Sequence, residues 1–471
     1  MSKFSILHIS DLHKMEGTTY EALLQSLLTD RDSYVEQNVL LPRYIVVSGD
    51  LIQGGETIEE IRKQYGEVTV FLHSLVREFL GNDKQRLLMV PGNHDVSFPH
   101  SRNSMTAEAV ENKDVNLRLF RKGNTNIRWN WKELNFFKVV DSAQYEERLN
   151  LFKEFYDNFY EGCRQYPDNA FGEAEYYSFD GDKVTFTLFN SCHHLDHLND
   201  TADIDEDAIV NVTPRLRASY NRGYLNIAVW HHHFYGTPQE TNYMDREVIN
   251  KMSHSYLQLG LFGHQHITQV AEFYGGDLSL GEAPDNQRIL LVSSGTLFGG
   301  NKQIPPGYKR QYNVIEVEWK NGTAQIEIHV REDSNRNVAS KLPIWSPKQV
   351  SPTASIKTSV KLKQQDERAI LTGILREATQ NGDYISAFEK LKELEKDGIK
   401  NVQIRSEVLR GIKDNRYILE NLEPSSKNDY MLLMACAERE NDAAIKERLK
   451  GDEQLQRYMD DPIIKEMYER L

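Results

Sequence analysis

Apolar positions in the first ninety residues alternate between two periods. Residues 4–10 alternate loosely, and Tyr44–Ser48 and Leu87–Val90 are short, nearly unbroken apolar runs. Between these strand-like segments, 20–29 places Leu23, Leu24, Leu27 and Leu28 at helical spacing, and 59–80 does the same with Val68, Phe71, Leu72, Leu75, Val76 and Phe79. Strands that alternate with helices predict βαβ units and a largely parallel sheet. The strand pattern resumes at 185–190, 225–230, 257–262 and 289–292. A closing hairpin is expected from 313–317 and 325–330, with its turn at Asn321-Gly322. From Glu332 to about Gln364 the pattern dissolves into Ser, Lys and Pro, including Pro343, Pro347 and Pro352, which predicts a linker. The remainder is helical in pattern, with helices at 369–379 and 384–396 and breaks at Gly382, Gly398 and Pro424, but no sustained repeat. The expected organisation is an α/β domain at 1–332, a linker at 333–364 and an all-α domain at 365–471.

Residues 97–175 interrupt the rhythm and are expected to form an insertion or cap directly after the Gly92–Asp95 stretch. Within 101–140, eight Lys or Arg against four Asp or Glu give 8 − 4 = +4, in a chain whose formal net charge is −14. Trp129, Trp131, Phe136 and Phe137 are interleaved there with Arg121, Lys122, Arg128, Lys132 and Lys138. One reading has these cations holding phosphates while a tryptophan stacks on a base. The other has the aromatics packing a cap onto the core while the charges face water, and for any single residue this second reading is preferred.

Hydrophobic residues make up 39% and charged residues 27% of the chain, which suits a soluble globular protein. The acidic balance excludes a global positive field for nucleic acid or anionic membrane, so such binding would need a local basic patch. Three scattered cysteines (Cys163, Cys192, Cys436) predict no disulfide framework and fit a reducing, cytoplasmic setting. The N-terminal apolar run is expected to be a first strand rather than a signal peptide, and no apolar stretch approaches the ~20 residues of a membrane span.

Residues able to bind metal recur where the predicted strands end: Asp11, His13, Asp50, Asn93, His231, His264 and His266. In open α/β sheets, sites form beyond the carboxyl ends of the strands. Seven such side chains exceed what one ion needs, whereas two ions sharing a carboxylate would use them all. Any one of these motifs alone is as readily an ordinary polar loop mouth. His231 is preferred over its neighbours His232 and His233 because it follows the strand directly.

In order, Asp11-Leu12-His13, Gly49-Asp50, Gly92-Asn93-His94-Asp95, His231 and Gly263-His264-Gln265-His266 resemble the signature of the calcineurin-like metallophosphoesterase superfamily, over roughly residues 1–330. The resemblance implies a four-layer αββα sandwich with a cap insertion and, beyond it, the C-terminal all-α domain. It implies one metal held by Asp11, His13, Asp50 and His266, and a second held by Asn93, His231, His264 and the shared Asp50. His94 would protonate the leaving oxygen or steady the transition state, with Asp95 orienting it. The implied cofactors are two divalent ions. Mixed carboxylate and imidazole ligands put Mn²⁺ first, with Fe, Ni²⁺ or Zn²⁺ also compatible.

The motif ending in Gly-Asn-His-Asp, the Ser10-Asp11-Leu12-His13 start and the basic segment favour a phosphodiesterase acting on nucleic acid or a nucleotide. The alternatives are a phosphomonoesterase for a phosphoprotein or small metabolite and, further off, a metal-bound scaffold working through 365–471. The helical domain is expected to mediate self-association or partner docking, or merely to stabilise the enzyme. His193 and His194 either line the pocket or, as the preferred reading, are structural or solvent-facing, and the acidic loop 196–207 is expected to be a solvated surface.

Overall fold

The computed structural model describes residues 3–12, 14, 19–108, 125–234, 242–275, 287–298, 304–320, 322–335, 342–349, 354–363, 367–396 and 401–471. The chain divides into two compact units, Met1–Gln364 and Gln365–Leu471.

Two sheets build the first unit. One runs through β1 (Lys3–Ile9), β2 (Tyr44–Ser48) and β3 (Leu87–Val90), all parallel. On the other side of β1 it continues with antiparallel strands at Gln311–Lys320, Thr323–Asp333, Trp345–Pro347 and Ile356–Lys361. The second sheet has parallel strands at Val184–Leu188, Leu225–Val229, Leu259–Phe262 and Arg288–Ser293, with antiparallel edges at Glu175–Phe179 and Val270–Tyr274. The expected largely parallel sheet is therefore two mixed sheets, because the C-terminal hairpin folds back against β1 instead of making a crossover.

Strand parity explains the layers. Phe4, Ile6, Tyr44, Val46, Leu88 and Val90 pack against Leu225, Ile227, Val229, Leu259 and Leu261 in one core between the sheets. Their odd-numbered neighbours in the first sheet, Leu7, Ile9, Ile45, Val47, Leu87 and Met89, face outward to helices Tyr20–Asp32 and Ile58–Leu80. Ala228 and Trp230 face outward from the second sheet, where Glu206–Asn221 and Arg246–His254 cover them. Strands buried on both faces are apolar throughout, which accounts for the unbroken runs in the sequence. The result is an α/β/β/α sandwich.

Two segments depart from expectation. The stretch read as a linker contributes the edge strands Trp345–Pro347 and Ile356–Lys361, both paired with Thr323–Asp333. Proline is tolerated there because an edge strand has backbone groups that need no partner. Of the segment read as a cap, only Met105–Ala107, Ile127–Asn130 and Asn135–Val139 form a separate small sheet. Helix Asn150–Tyr160 instead buries Leu151, Phe152, Phe155, Tyr156, Phe159 and Tyr160 in the outer core beside helix Ile58–Leu80. Asn321, Arg121 and Lys122 lie outside the described residues, and the pairing of the two hairpin strands runs up to Lys320↔Thr323. The second unit is all helical, from Glu367–Asn381 to Pro462–Arg470, around Phe388, Val408, Leu409, Tyr430, Leu433 and Met434.

Helix Asn150–Tyr160 is tied to the sheets by polar groups as well. Tyr160 Oη donates to the Leu87 carbonyl at 2.7 Å, and Arg164 Nη1 donates to the same oxygen at 3.1 Å. Tyr156 and Tyr177 donate to the buried carboxylate of Glu175, with Arg164 stacked 3.7 Å from the Tyr177 ring. Burial pushes the Glu175 pKa up to about 7, against the tyrosine hydrogen bonds and Arg164, which lower it. Between its ordinary value of 4.5 and about 7, the folded chain keeps a proton that the unfolded chain has lost. Stability from this group is therefore full below pH 4.5 and falls as pH rises towards 7, by up to about 3 kcal/mol. Glu175→Gln removes that titration, so the melting temperature of the variant relative to the native protein should rise between pH 5 and pH 7.5. A difference that stays flat across this range would show that Glu175 ionises normally.

Candidate metal centre

Both sheets end their parallel strands at one place. Asp11 and Asp50 follow β1 and β2, Asn93 follows β3, His231 follows Leu225–Val229, and His264 and His266 follow Leu259–Phe262. Asn93 Oδ1 lies 3.0 Å from His231 Nε2 and 3.0 Å from His264 Nδ1, and these two ring nitrogens are 3.3 Å apart. Asp50 Oδ2 is 3.2 Å from His231 Nε2, and Asp11 Oδ1 is 3.2 Å from His266 Nε2. Every expected ligand among the described residues is thus brought to this cluster, and His13 lies outside them.

The local backbone is bent to allow this. Asp11, Asp50, His264 and His266 take positive φ angles of 53°, 53°, 76° and 60°. For side-chain-bearing residues such conformations cost on the order of 1–3 kcal/mol each and cluster at functional sites. Two glycines permit close approach. A Cβ on Gly92 would sit 2.2 Å from Asp50 Oδ1, and one on Gly263 would sit 1.9 Å from Ser10 Oγ.

Hydrogen bonds behind the ligands set their orientation. His231 Nδ1 donates to the Ser48 carbonyl at 2.8 Å, which turns Nε2 towards Asp50 and Asn93. Asp11 Oδ2 accepts the His264 amide at 3.1 Å, and Asp50 Oδ1 accepts the His94 amide at 2.9 Å. Burial alone would lower the His231 pKa, but the Asp50 carboxylate outweighs it and takes the imidazole up to about 9. His264 goes the other way, down to about 3, through burial and the neighbouring His231. The buried carboxylates thus demand positive charge, and a proton on His231 is one way to supply it.

A divalent cation meets that demand better, and the donor set fits one. Single ligand atoms from Asp11, Asp50 and His231 lie within 4.8 Å of one another, as do ring nitrogens of His231, His232 and His264. Carboxylate, amide oxygen and imidazole nitrogen together suit a first-row divalent ion, and no thiolate is involved. His232 was not singled out by its position in the sequence. The run of three histidines at 231–233 is its trace in the sequence.

His94 and Asp95 are held separately. His94 Nδ1 donates to the Gln53 carbonyl at 2.8 Å, so a long-range backbone contact sets this ring. The expected role of Asp95 in orienting His94 is corrected. Its buried carboxylate accepts from Gly92 N at 2.8 Å, Leu51 N at 3.2 Å and Tyr65 Oη at 3.1 Å. Asp95 therefore joins the turn after β3 to the turn after β2, and so fixes Asn93 and Asp50 relative to each other. No local pattern could have shown this, because Leu51 and Tyr65 are remote in sequence.

Beyond Ser191, the chain also departs from expectation. His193 and His194 follow the first of their two readings and line two cavities of about 850 and 590 Å³. They stand 3.3 Å from Asp205 and 3.4 Å from Asp203 respectively. The acidic loop is not simply a solvated surface. Asp196 is buried and accepts from Arg128 Nε at 2.6 Å and Tyr145 Oη at 2.8 Å. Arg128 is therefore spent on a structural pair, Arg102 is paired with Glu56, and Lys138 sits 3.5 Å from Glu108. Trp131 is 82% exposed at the tip of the small sheet, with its ring edge-on to Trp129.

Several comparisons bear on this arrangement. Among solved structures, a dimetal phosphatase from Danio rerio is 10% identical, covering 76% of this chain and 99% of its own, with a TM-score of 0.38. GAP50, the anchor in the inner membrane complex of Plasmodium, is 8% identical, covering 78% of this chain and 91% of its own, with a TM-score of 0.34. A single mutant of Vps29 from Entamoeba histolytica is 9% identical, covering 76% and 99%, with a TM-score of 0.27. No curated protein matches the chain. The family model for calcineurin-like phosphoesterases matches residues 4–268, more than half of the sequence and the whole run from Asp11 to His266. The chain belongs to the calcineurin-like phosphoesterase family, and it is a metal-dependent phosphoester hydrolase with a dinuclear divalent metal site.

Proposed function

We propose that this hydrolase is a phosphodiesterase acting on a nucleotide or a short stretch of nucleic acid, with Mn²⁺ ahead of Fe, Ni²⁺ or Zn²⁺ as its metal. The observation that supports this is the pairing of the cations around the site. Of the described part of the basic segment, Arg102, Arg128 and Lys138 are each engaged by a carboxylate, and the larger cavity next to His193 and His194 is lined by Asp203, Asp205, Glu206, Asp207, Asp245 and Glu247 against Arg246 and Lys251. A phosphomonoester brings two negative charges into such surroundings and a diester only one per phosphate. The same pairing argues against a long polyanion, which needs a stripe of available cations.

Asp11, His13, Asp50 and His266 are assigned to one cation, and Asn93, His231, His264 and the shared Asp50 to the other. Divalent cations held there supply Lewis acidity to a phosphoryl oxygen and acidify a nucleophilic water. The rest falls to the chain. Asp50, pinned by the His94 amide, keeps both halves of the centre in register. His94, half-buried with Nδ1 fixed on the Gln53 carbonyl, presents its remaining nitrogen to deliver a proton to the departing oxygen. An alkoxide leaving group from a sugar needs that proton, whereas an aryloxide does not. The catalytic portion is assigned to 1–332. The helical unit, which has its own apolar core, is assigned to docking or self-association.

Three outcomes are expected. With Mn²⁺ added, the protein should hydrolyse cyclic nucleotides, dinucleotides and a bis-aryl phosphodiester faster than an aryl phosphomonoester, and EDTA should abolish all of it. A preference for the monoester would move the assignment to a phosphatase. His94→Ala should lose about 10²–10⁴-fold in kcat on alkyl diesters and much less on aryl diesters. An equal loss on both would remove His94 from the proton-delivery role. Gly92→Ala should push Asp50 out of place and lower bound metal per chain, read by elemental analysis, while the far-ultraviolet circular dichroism stays native.

A further inference from the structure

His232 sits one residue beyond the assigned ligand His231 and is completely buried. Its Nδ1 lies 2.8 Å from Ser191 Oγ, just past the end of strand Val184–Leu188. The same Oγ accepts the backbone amides of His231 and His232 at 3.2 and 3.3 Å, so one hydroxyl gathers both residues. Trp230 Nε1 donates to the His232 carbonyl at 2.7 Å and fixes the backbone on the other side. The ring nitrogen that remains, Nε2, is buried and has no hydrogen-bond partner among the described residues. A buried polar atom left in this way is costly, and in native proteins it calls for a specific explanation.

The surroundings offer one. The His232 ring centroid is 4.8 Å from that of His264 and 5.0 Å from that of His231. One ring nitrogen from each of the three lies within 4.8 Å of the others. His232 thus has one nitrogen anchored by an outer hydrogen bond and the other without a partner among the described residues, in a ring packed against the imidazoles of His231 and His264. His231 shows the same division, with Nδ1 on the Ser48 carbonyl and Nε2 facing inward. Histidines that bind metals are typically held in this manner. With its two lone pairs on the backbone amides, Ser191 directs its own proton to His232 Nδ1, so for Nε2 to take a metal the ring proton must move to Nδ1 and the hydroxyl must turn.

We propose that His232 is a third imidazole ligand of the cation assigned to Asn93, His231 and His264, acting through Nε2. This rests on the dimetal reading above and makes the centre asymmetric. One position is rich in carboxylate, from Asp11 and Asp50, and the other is rich in imidazole. Imidazoles favour Zn²⁺, Fe²⁺ or Ni²⁺, whereas carboxylates suit Mn²⁺. The imidazole-rich position should therefore retain a late first-row metal under conditions where the other exchanges to Mn²⁺.

The test is metal binding by the full-length chain, independent of turnover. Protein stripped by chelator is titrated with Zn²⁺ by calorimetry, and metal retained after dialysis is counted by elemental analysis. Native protein should hold two ions per chain. His232→Ala should hold one, with affinity for the second weakened by about 10–100-fold or more. Ser191→Ala, which keeps the imidazole but loosens it, should weaken the same position by a smaller factor. If circular dichroism shows His232→Ala unfolded, His232→Gln is scored in its place, since its amide can keep the Ser191 contact. Two ions bound with native affinity in the folded His232 variant would overturn the assignment while leaving the dimetal reading intact. Native protein that retains no metal would overturn both.

Discussion

One contact between the two sheets governs the rest of the site. The His231 imidazole, carried on the second sheet, donates from Nδ1 to the carbonyl of Ser48 on the first. Its Nε2 stands 3.2 Å from the Asp50 carboxylate, two residues past Ser48. Both residues continue the parity of strands whose inward side chains form the apolar core between the sheets. That core sets the spacing of the sheets over most of their area, and the ion pair replaces it where the strands stop. Because His231 grips backbone and side chain of the same strand end, a slip of one sheet along the other would break both contacts. The coordinate precision a catalytic centre needs, within roughly an ångström, is thus supplied by ordinary sandwich packing closed off by one charged pair.

A second ring of contacts holds the loops that the sheets leave loose. Asp95 spends its carboxylate on Gly92, Leu51 and Tyr65, which makes the turns after β2 and β3 a single body. The far end of β3 is fastened by Tyr160 and Arg164, both donating to Leu87. The strand that presents Asn93 is therefore held at its two ends by residues from outside the sheet. Helix Asn150–Tyr160 serves the site through that attachment without lining it.

The strands, most helices and the positions of nearly all the clustered polar side chains could be read from the sequence, for a physical reason. Strands buried on both faces must be apolar throughout, and a polar residue that ends such a run is conspicuous. Strand parity also separates His231 from His232, since His231 falls on the face shared with Val229 and Ile227, and His231 precedes His233 as the first residue beyond the apolar run. What could not be read depends on distant partners. Asp95 looks like a companion of His94 when only adjacent letters are visible, yet its partners come from two other elements. The loop 196–207 is dense with acids and suggests water, but Asp196 is buried because Arg128 arrives from the small sheet to meet it. The Pro-rich stretch after Glu332 suggests a linker, but an edge strand tolerates proline and needs only one neighbour.

The same distinction between composition and field decides how the charges act. A segment with net charge +4 beside a site suggests attraction for polyanions when counted along the chain. Among the described residues, its buried Arg128 neutralises Asp196, and Arg102 and Lys138 stand against Glu56 and Glu108. Paired charges at close range present a dipole whose field falls off faster than that of a free cation, and salt screens it further. In the cavities lined by His193 and His194, carboxylates of Asp203, Asp205, Glu206 and Asp207 likewise share the walls with Arg128, Arg148, Arg246 and Lys251, so there too a count of formal charge along the chain misstates the local field.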